Sequence, residues 1–164
     1  MHKLKDINLN TGLTLVEVLI ATSIILTFLV TLFGVHNIYL KTVSFNVESV
    51  KAIYLAEEGL EVVRFLRDSS WTDNISTLAL DTDYYLVFES GTWQTTSTNT
   101  LIDDTYDRTI TLSEVYRDAS GDIVSSGGTL DQETKLVTSS VSWENRSVTS
   151  TKFVSTYIVN LFNN

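Results

Sequence analysis

Glu17 is the residue with the clearest chemical constraint, because it is the only charged residue between Gly12 and Val35. An ionised carboxylate inside an apolar membrane span costs up to about 3 kcal/mol on membrane-insertion scales. Glu17 therefore needs either access to water at the membrane headgroups or a positively charged partner, such as an amino group in the same apolar layer.

Other residues offer little chemistry. There are no cysteines, and no Ser/His/Asp or paired-carboxylate pattern surrounds either histidine, His2 or His36. The acidic clusters at 81–83 and 103–107 could supply oxygen ligands to calcium, but neither has a glycine-punctuated loop of defined spacing. We therefore predict a protein that is not an enzyme, with no cofactor and no metal site.

The apolar stretch 13–35 would span roughly 35 Å as a helix, which is enough to cross a bilayer. Lys3 and Lys5 precede it, and positive charge tends to stay on the cytoplasmic side. The sequence thus predicts a single-pass membrane protein with its amino terminus in the cytoplasm and its carboxy-terminal domain outside.

Gly12, the apolar Leu13 and Glu17 at the start of a long apolar helix resemble the signal of type IV prepilins. The resemblance implies that prepilin peptidase cleaves between Gly12 and Leu13, that Leu13 is then N-methylated, and that the apolar helix is retained for polymerisation. It also implies that Glu17 serves subunit assembly by pairing with a neighbour's amino group. Leu13 stands where phenylalanine is commonest, and Gly34 stands near where major pilins often carry a helix-kinking proline.

Residues 36–70 contain no proline and only one glycine, and their pattern changes from uniformly apolar to two-sided. This periodicity predicts an amphipathic continuation of the same helix, with its apolar side against a sheet. The segment Ala56–Trp71 also resembles the end of the long helix in PilV-like minor pilins. The predicted apolar side comprises Ala52, Leu55, Ala56, Gly59, Leu60, Val62, Val63 and Leu66, and the predicted polar side Glu57, Glu61, Arg64 and Asp68.

Beyond Trp71 the pattern alternates with a period of two, which predicts a mainly antiparallel sheet. We expect strands at 84–89, 92–95, 108–116, 123–124, 134–143 and 148–161, with a long loop at 96–107. The expected inward residues are Ile110, Leu112 and Tyr116 on one strand, Val137, Val141 and Trp143 on another, and Phe153, Tyr157, Val159 and Leu161 on the last. The segments Val141–Trp143 and Ser155–Leu161 resemble the final hairpin of PilV-like minor pilins.

The predicted organisation is a leader peptide (1–12), a transmembrane and polymerisation helix (13–35), its amphipathic continuation (36–70) and a β-rich domain (71–164). This is an α+β fold of the type IV pilin kind, with a long helix packed on an antiparallel sheet. The net charge is −1 over residues 1–70 and −8 over residues 71–164. Because binding to phosphates requires positive charge, we expect no nucleic-acid partner for the outer domain.

These features predict a structural subunit of a type IV pilus. The resemblance of two segments to PilV-like minor pilins implies that it is a minor subunit. The expected partners are prepilin peptidase, other pilin or pseudopilin subunits and, before assembly, the cytoplasmic membrane. After assembly, we expect the subunit in a pilus at the cell surface. Two alternatives stay open. The chain could be a pseudopilin of a type II secretion or DNA-uptake system, or a membrane-anchored surface binding domain that never polymerises.

Overall fold

The computed structural model describes residues 12, 14–145 and 147–162. A long helix, α1, is followed by a one-turn helix, α2, and then by seven β-strands, so the predicted α+β class is confirmed. The helices are α1 (Leu15–Ser69) and α2 (Trp71–Asn74), and the strands are β1 (Asp83–Glu89), β2 (Thr92–Thr96), β3 (Leu101–Ile102), β4 (Tyr106–Arg117), β5 (Ile123–Val124), β6 (Thr129–Asn145) and β7 (Val148–Val159).

The chain divides into two units, one ending at Ser44 and the other beginning at Phe45. In the first unit, every described residue of α1 is exposed. The second unit contains the remainder of α1, helix α2 and all the strands, and it has its own hydrophobic core.

The sheet is antiparallel throughout, with β4 and β6 as its long central strands. Its strand order is β2-β1-β4-β6-β7, and β3 and β5 each pair with β4. The prediction of one long loop at 96–107 is wrong in part. Leu101 and Ile102 form β3 opposite the start of β4, which itself begins two residues earlier than expected.

The core forms where the apolar side of α1 lies on one face of the sheet. The predicted apolar side of the helix is confirmed, since its members are buried except for the half-buried Leu55. The predicted inward residues of β6 are also confirmed, because Val137, Val141 and Trp143 are all buried. Burial of this kind contributes about 25 cal/mol per Å² of apolar surface, which is the main stabilising term available to a domain without disulfides.

Gly59 marks the closest approach of α1 to the sheet. A Cβ atom at this position would lie 2.5 Å from Ser139 Oγ, 3.1 Å from Ile110 Cδ1 and 3.2 Å from Arg108 Cδ. The Ser139 hydroxyl is fully buried and has no hydrogen-bond partner among the described residues. Glycine is therefore required here for packing, at some cost in helix propensity.

We expect Gly59→Ala to lower the free energy of unfolding by about 1–2 kcal/mol, because the overpacking exceeds the propensity gained by alanine. The double variant Gly59→Ala/Ser139→Ala should regain most of that loss, since Ser139→Ala removes the atom at 2.5 Å. Denaturant unfolding of both variants and of Ser139→Ala, followed by circular dichroism in detergent, measures these differences. Wild-type stability in Gly59→Ala would refute the close approach.

A large bulge in β6 changes the register of its pairing with β4. Glu114 pairs with Lys135, whereas Val115 pairs with Asp131, so three residues of β6 are left without a partner on β4. The shift turns Val115 inward and leaves Tyr116 exposed on the opposite face. The prediction that Tyr116 points inward is therefore wrong, because simple alternation does not continue through a bulge.

Asp131 holds the bulge together. Its Oδ1 accepts a hydrogen bond from the Glu133 N–H at 3.0 Å, and its Oδ2 accepts bonds from Thr134 Oγ1 at 2.6 Å and Arg117 Nε at 2.7 Å. The bond from the Thr134 hydroxyl, followed by that from Arg117, lowers the pKa of Asp131 below its ordinary value of 3.8.

A carboxyl whose pKa is lowered by folding adds stability above its unfolded pKa and loses it as the pH falls through the folded value. We therefore expect Asp131→Asn to be less stable than the wild type by about 1 kcal/mol at pH 7. The difference should shrink below pH 4. Urea unfolding of both proteins from pH 7 to pH 3 checks this, and a difference that stays constant over that range would contradict it.

The inward face predicted for β7 is wrong. Asn145 pairs with Val148 across a two-residue connection, so each odd-numbered residue of β6 faces an even-numbered residue of β7. Directly paired residues share a face of an antiparallel sheet. Ile158 is therefore buried and Val154 half-buried, whereas Phe153 and Tyr157 are exposed on the opposite face. Val159 is half-buried, and Leu161 is exposed beyond the end of the strand.

Candidate functional site

The first turn of α1 is built by Thr14 and Glu17. Thr14 O accepts the first helical hydrogen bond, from the Val18 N–H at 3.2 Å, and Thr14 Oγ1 accepts a bond from the Glu17 N–H at 3.3 Å. Thr14 is therefore the N-cap, and Glu17 is the third helical residue, which is the Thr-x-x-Glu spacing of a capping box. Of the two capping-box bonds, only the one to Thr14 Oγ1 is formed among the described residues. Sequence reasoning missed this cap, although the Thr-x-x-Glu spacing was visible.

Glu17 thus has a structural role as well as a chemical one. A carboxylate in the first turn is stabilised by the positive end of the helix dipole, by about 0.3–1 kcal/mol at an exposed position. The side chain is exposed, and no hydrogen bond or ion pair to its carboxylate is formed by the residues that the structure describes. The oxygens are therefore open to a partner outside this set.

Gly12 lies two residues before the N-cap, outside the helix. It is exposed, and a Cβ atom added to it would meet nothing within 4 Å. The predicted cleavage and methylation residue Leu13 lies outside the described residues. No described residue therefore crowds Gly12 at the predicted scissile bond.

The first part of α1 is long and apolar enough to cross a membrane, by length and composition. Its 18-residue apolar window has a mean hydropathy of 2.5 and is 0 % buried. An apolar surface of this extent requires a partner, either lipid or other apolar helices.

The hydroxyl groups in this stretch are satisfied within the helix. Thr22, Ser23, Thr27 and Thr31 all donate to backbone carbonyls three or four residues earlier, at distances from 2.6 to 3.0 Å. A hydroxyl that already has a partner avoids most of the cost of entering an apolar environment. The polar residues are therefore compatible with burial in lipid or in a bundle of helices.

Ser23, Thr27 and Thr31 recur every fourth residue and, with Ile24 and Phe28, line a shallow groove along the helix. Small side chains at this spacing allow two apolar helices to approach closely. Helix α1 continues through Gly34, so this glycine does not end the helix. The groove gives the exposed helix a face suited to helix packing.

Glu48 joins α1 to the far end of β6 within the second unit. Its Oε2 accepts hydrogen bonds from Trp143 Nε1 at 3.1 Å and Asn145 Nδ2 at 2.6 Å. The rings of Phe45 and Trp143 lie 6.2 Å apart beside this pair of bonds. No sequence pattern indicated Glu48, because its partners lie more than 90 residues away.

Arg108, on strand β4, binds α1 through a hydrogen bond and an ion pair. Its side chain is 4 % exposed, and Nη1 donates to the Leu55 carbonyl oxygen at 3.1 Å and lies 3.2 Å from Glu58 Oε2. Burial lowers the pKa of Arg108, and the Glu58 carboxylate opposes that shift. An arginine stays charged under these conditions, so the Arg108–Glu58 pair anchors the part of α1 that lies in the second unit.

The acidic clusters form separate contacts. Asp81 and Asp83 accept bonds from Ser113 and Thr111, both at 2.6 Å, and Asp103 pairs with Lys51 at 2.7 Å. Within residues 12, 14–145 and 147–162, no three or more His, Cys, Asp or Glu side chains converge as a metal site.

Comparison with known proteins identifies no relative. The sequence matches no family model and no curated protein, and no solved structure matches the fold. The long helix on an antiparallel sheet is compatible with a pilin-like fold.

Proposed function

We propose that this chain is a type IV prepilin, cleaved after Gly12 and assembled through its apolar helix as a minor pilus subunit. The observation that best supports the proposal is the start of α1. An open glycine, an N-cap at Thr14 and an acid at Glu17 precede an exposed apolar helix with internally satisfied hydroxyls.

In the proposed mechanism, the apolar helix exchanges contact with lipid for contact with the helices of other subunits. Cleavage creates a positively charged amino group at Leu13, four residues before Glu17 in the sequence. When helices leave lipid and bundle, both charges enter an apolar layer, where each offsets part of the other's desolvation cost. A neighbour displaced along the filament axis is then held in register, because only one stagger brings its amino group to the Glu17 carboxylate.

A rival function is supported by one observation. The second unit exposes a cluster of aromatic side chains, Phe65, Phe88 and the half-buried Trp93, which suits a surface that binds another molecule. A permanently anchored binding domain would use such a surface without polymerising.

Expression with and without an active prepilin peptidase separates the two functions. In cells that carry a complete pilus machine, we expect the chain in the sheared filament fraction only when the peptidase is active. Recovery with membranes under both conditions would support the anchored domain instead. Repeating the experiment in cells that hold only a secretion pseudopilus tests the pseudopilin alternative.

A further inference from the structure

An aromatic groove lies beside the exposed side of α1, wholly within the second unit. It is shallow and open to solvent, with a volume of about 500 Å³. Phe65 and Phe88 are 52 % and 60 % exposed, and the rings of Phe88 and Trp93 meet edge to face with centroids 5.3 Å apart. The residues that line the groove are Glu58, Glu61, Val62, Phe65, Phe88 and Trp93.

The groove combines ring faces with negative charge. Glu58 and Glu61 line it, and their side chains are 49 % and 68 % exposed. None of the described residues that line it is basic. Their arginine partners, Arg108 and Arg64, do not line the groove, and Arg108 is buried. A cation on the aromatic rings would gain about 0.5–1 kcal/mol from the π faces. Glu58 and Glu61 each already pair with an arginine, but their exposed side chains can also accept hydrogen bonds from the cation.

We propose that this groove binds an arginine or lysine side chain, with its apolar neighbours, on a partner protein. Arginine suits the site best, because its planar guanidinium stacks on aromatic rings and also bonds carboxylates. The apolar neighbours of the basic side chain would cover Val62 and Phe65.

Charge complementarity favours a different protein over a second copy. Residues 71–164 carry a net charge of −8, so two such domains repel each other, whereas a basic segment is attracted. The proposal does not depend on filament assembly, because every residue that lines the groove lies beyond Phe45.

The test uses the full chain in a neutral detergent and three peptides that differ at one position. These are acetyl-Val-Arg-Val-amide, the same peptide with citrulline, which is neutral and nearly isosteric, and the same peptide with glutamate. NMR resolves the indole N–H signals of the three tryptophans, and Trp93→Phe assigns the one in the groove. We expect a saturable shift of the Trp93 signal with the arginine peptide and no shift of the buried Trp71 and Trp143.

Variants connect that shift to the groove. Phe88→Ser should weaken binding about fivefold and Glu61→Gln about threefold. Phe153→Ser, which changes another exposed phenylalanine, on β7, should have no effect. Phe88 and Glu61 are both exposed, so neither substitution should disturb the core. If Phe88→Ser nevertheless alters the fold, Glu61→Gln tests the groove independently.

Equal shifts with the arginine and citrulline peptides would overturn the proposal, since the site would then recognise apolar groups alone. No saturable shift with the arginine peptide, or equal weakening by Phe153→Ser and Phe88→Ser, would also overturn it. Loss of assembly in processing mutants would leave peptide binding unchanged.

Discussion

Gly12→Phe is expected to leave the chain uncut in cells with active prepilin peptidase, so that it keeps its leader and is absent from filaments. The reason is steric, because phenylalanine puts a bulky side chain beside the predicted scissile bond, where the peptidase must approach. Among the described residues, a Cβ at Gly12 meets nothing within 4 Å. The substitution therefore adds bulk at the predicted scissile bond without disturbing the described fold. Immunoblotting of membranes measures the ratio of uncut to cut chain.

Gly34→Phe is the matched control for processing. Gly34 also has open space around a Cβ, but it lies well inside α1 and away from the cleavage position. We expect normal cleavage of this variant. Complete cleavage of Gly12→Phe would show that the glycine is not part of a processing signal.

The second large effect is expected from Glu17. Glu17→Gln and Glu17→Val should both be cleaved, but their incorporation into filaments should fall more than about a hundredfold. Breaking one side of a buried charge pair costs about 3–5 kcal/mol, because the remaining charge is left unpaired in an apolar layer. The measurement is the ratio of variant subunit in sheared filaments to variant subunit in membranes.

The two substitutions separate charge from capping. Glutamine at the third helical position retains the capping-box pattern and removes only the charge, whereas valine removes both. Thr14→Ala, which removes the hydroxyl that accepts the Glu17 N–H bond, serves as the control for helix capping and should still incorporate. Normal incorporation of Glu17→Gln would exclude charge pairing as the means of alignment.

The sequence predicted those parts of the fold that depend on local periodicity. The buried side of α1 and the inward residues Val137, Val141 and Trp143 follow from spacing alone, because each element must bury its apolar side. The long apolar helix was equally visible, since it needs no information from the rest of the chain.

The remaining features depend on register and on distant partners. The insertion opposite Glu114 and Val115 exposes Tyr116, and the two-residue connection before Val148 turns Phe153 and Tyr157 outward. Neither the bulge nor the length of the connection could be read from hydrophobicity, because apolar residues occur on both faces of β7.

Long-range polar contacts were also beyond the sequence. No sequence pattern marked Glu48 or Arg108, yet Glu48 accepts hydrogen bonds from the end of β6 and Arg108 is buried against α1. The aromatic groove was missed for the same reason, because it combines residues of α1 with Phe88 and Trp93 of the β1–β2 hairpin. Only the folded chain brings these side chains together.

The most direct test of the proposed processing and assembly is the intact mass of the subunit recovered from purified, sheared filaments. The account predicts a chain that begins at Leu13 and carries one added methyl group at its amino terminus. A filament subunit that still begins at Met1 would contradict it.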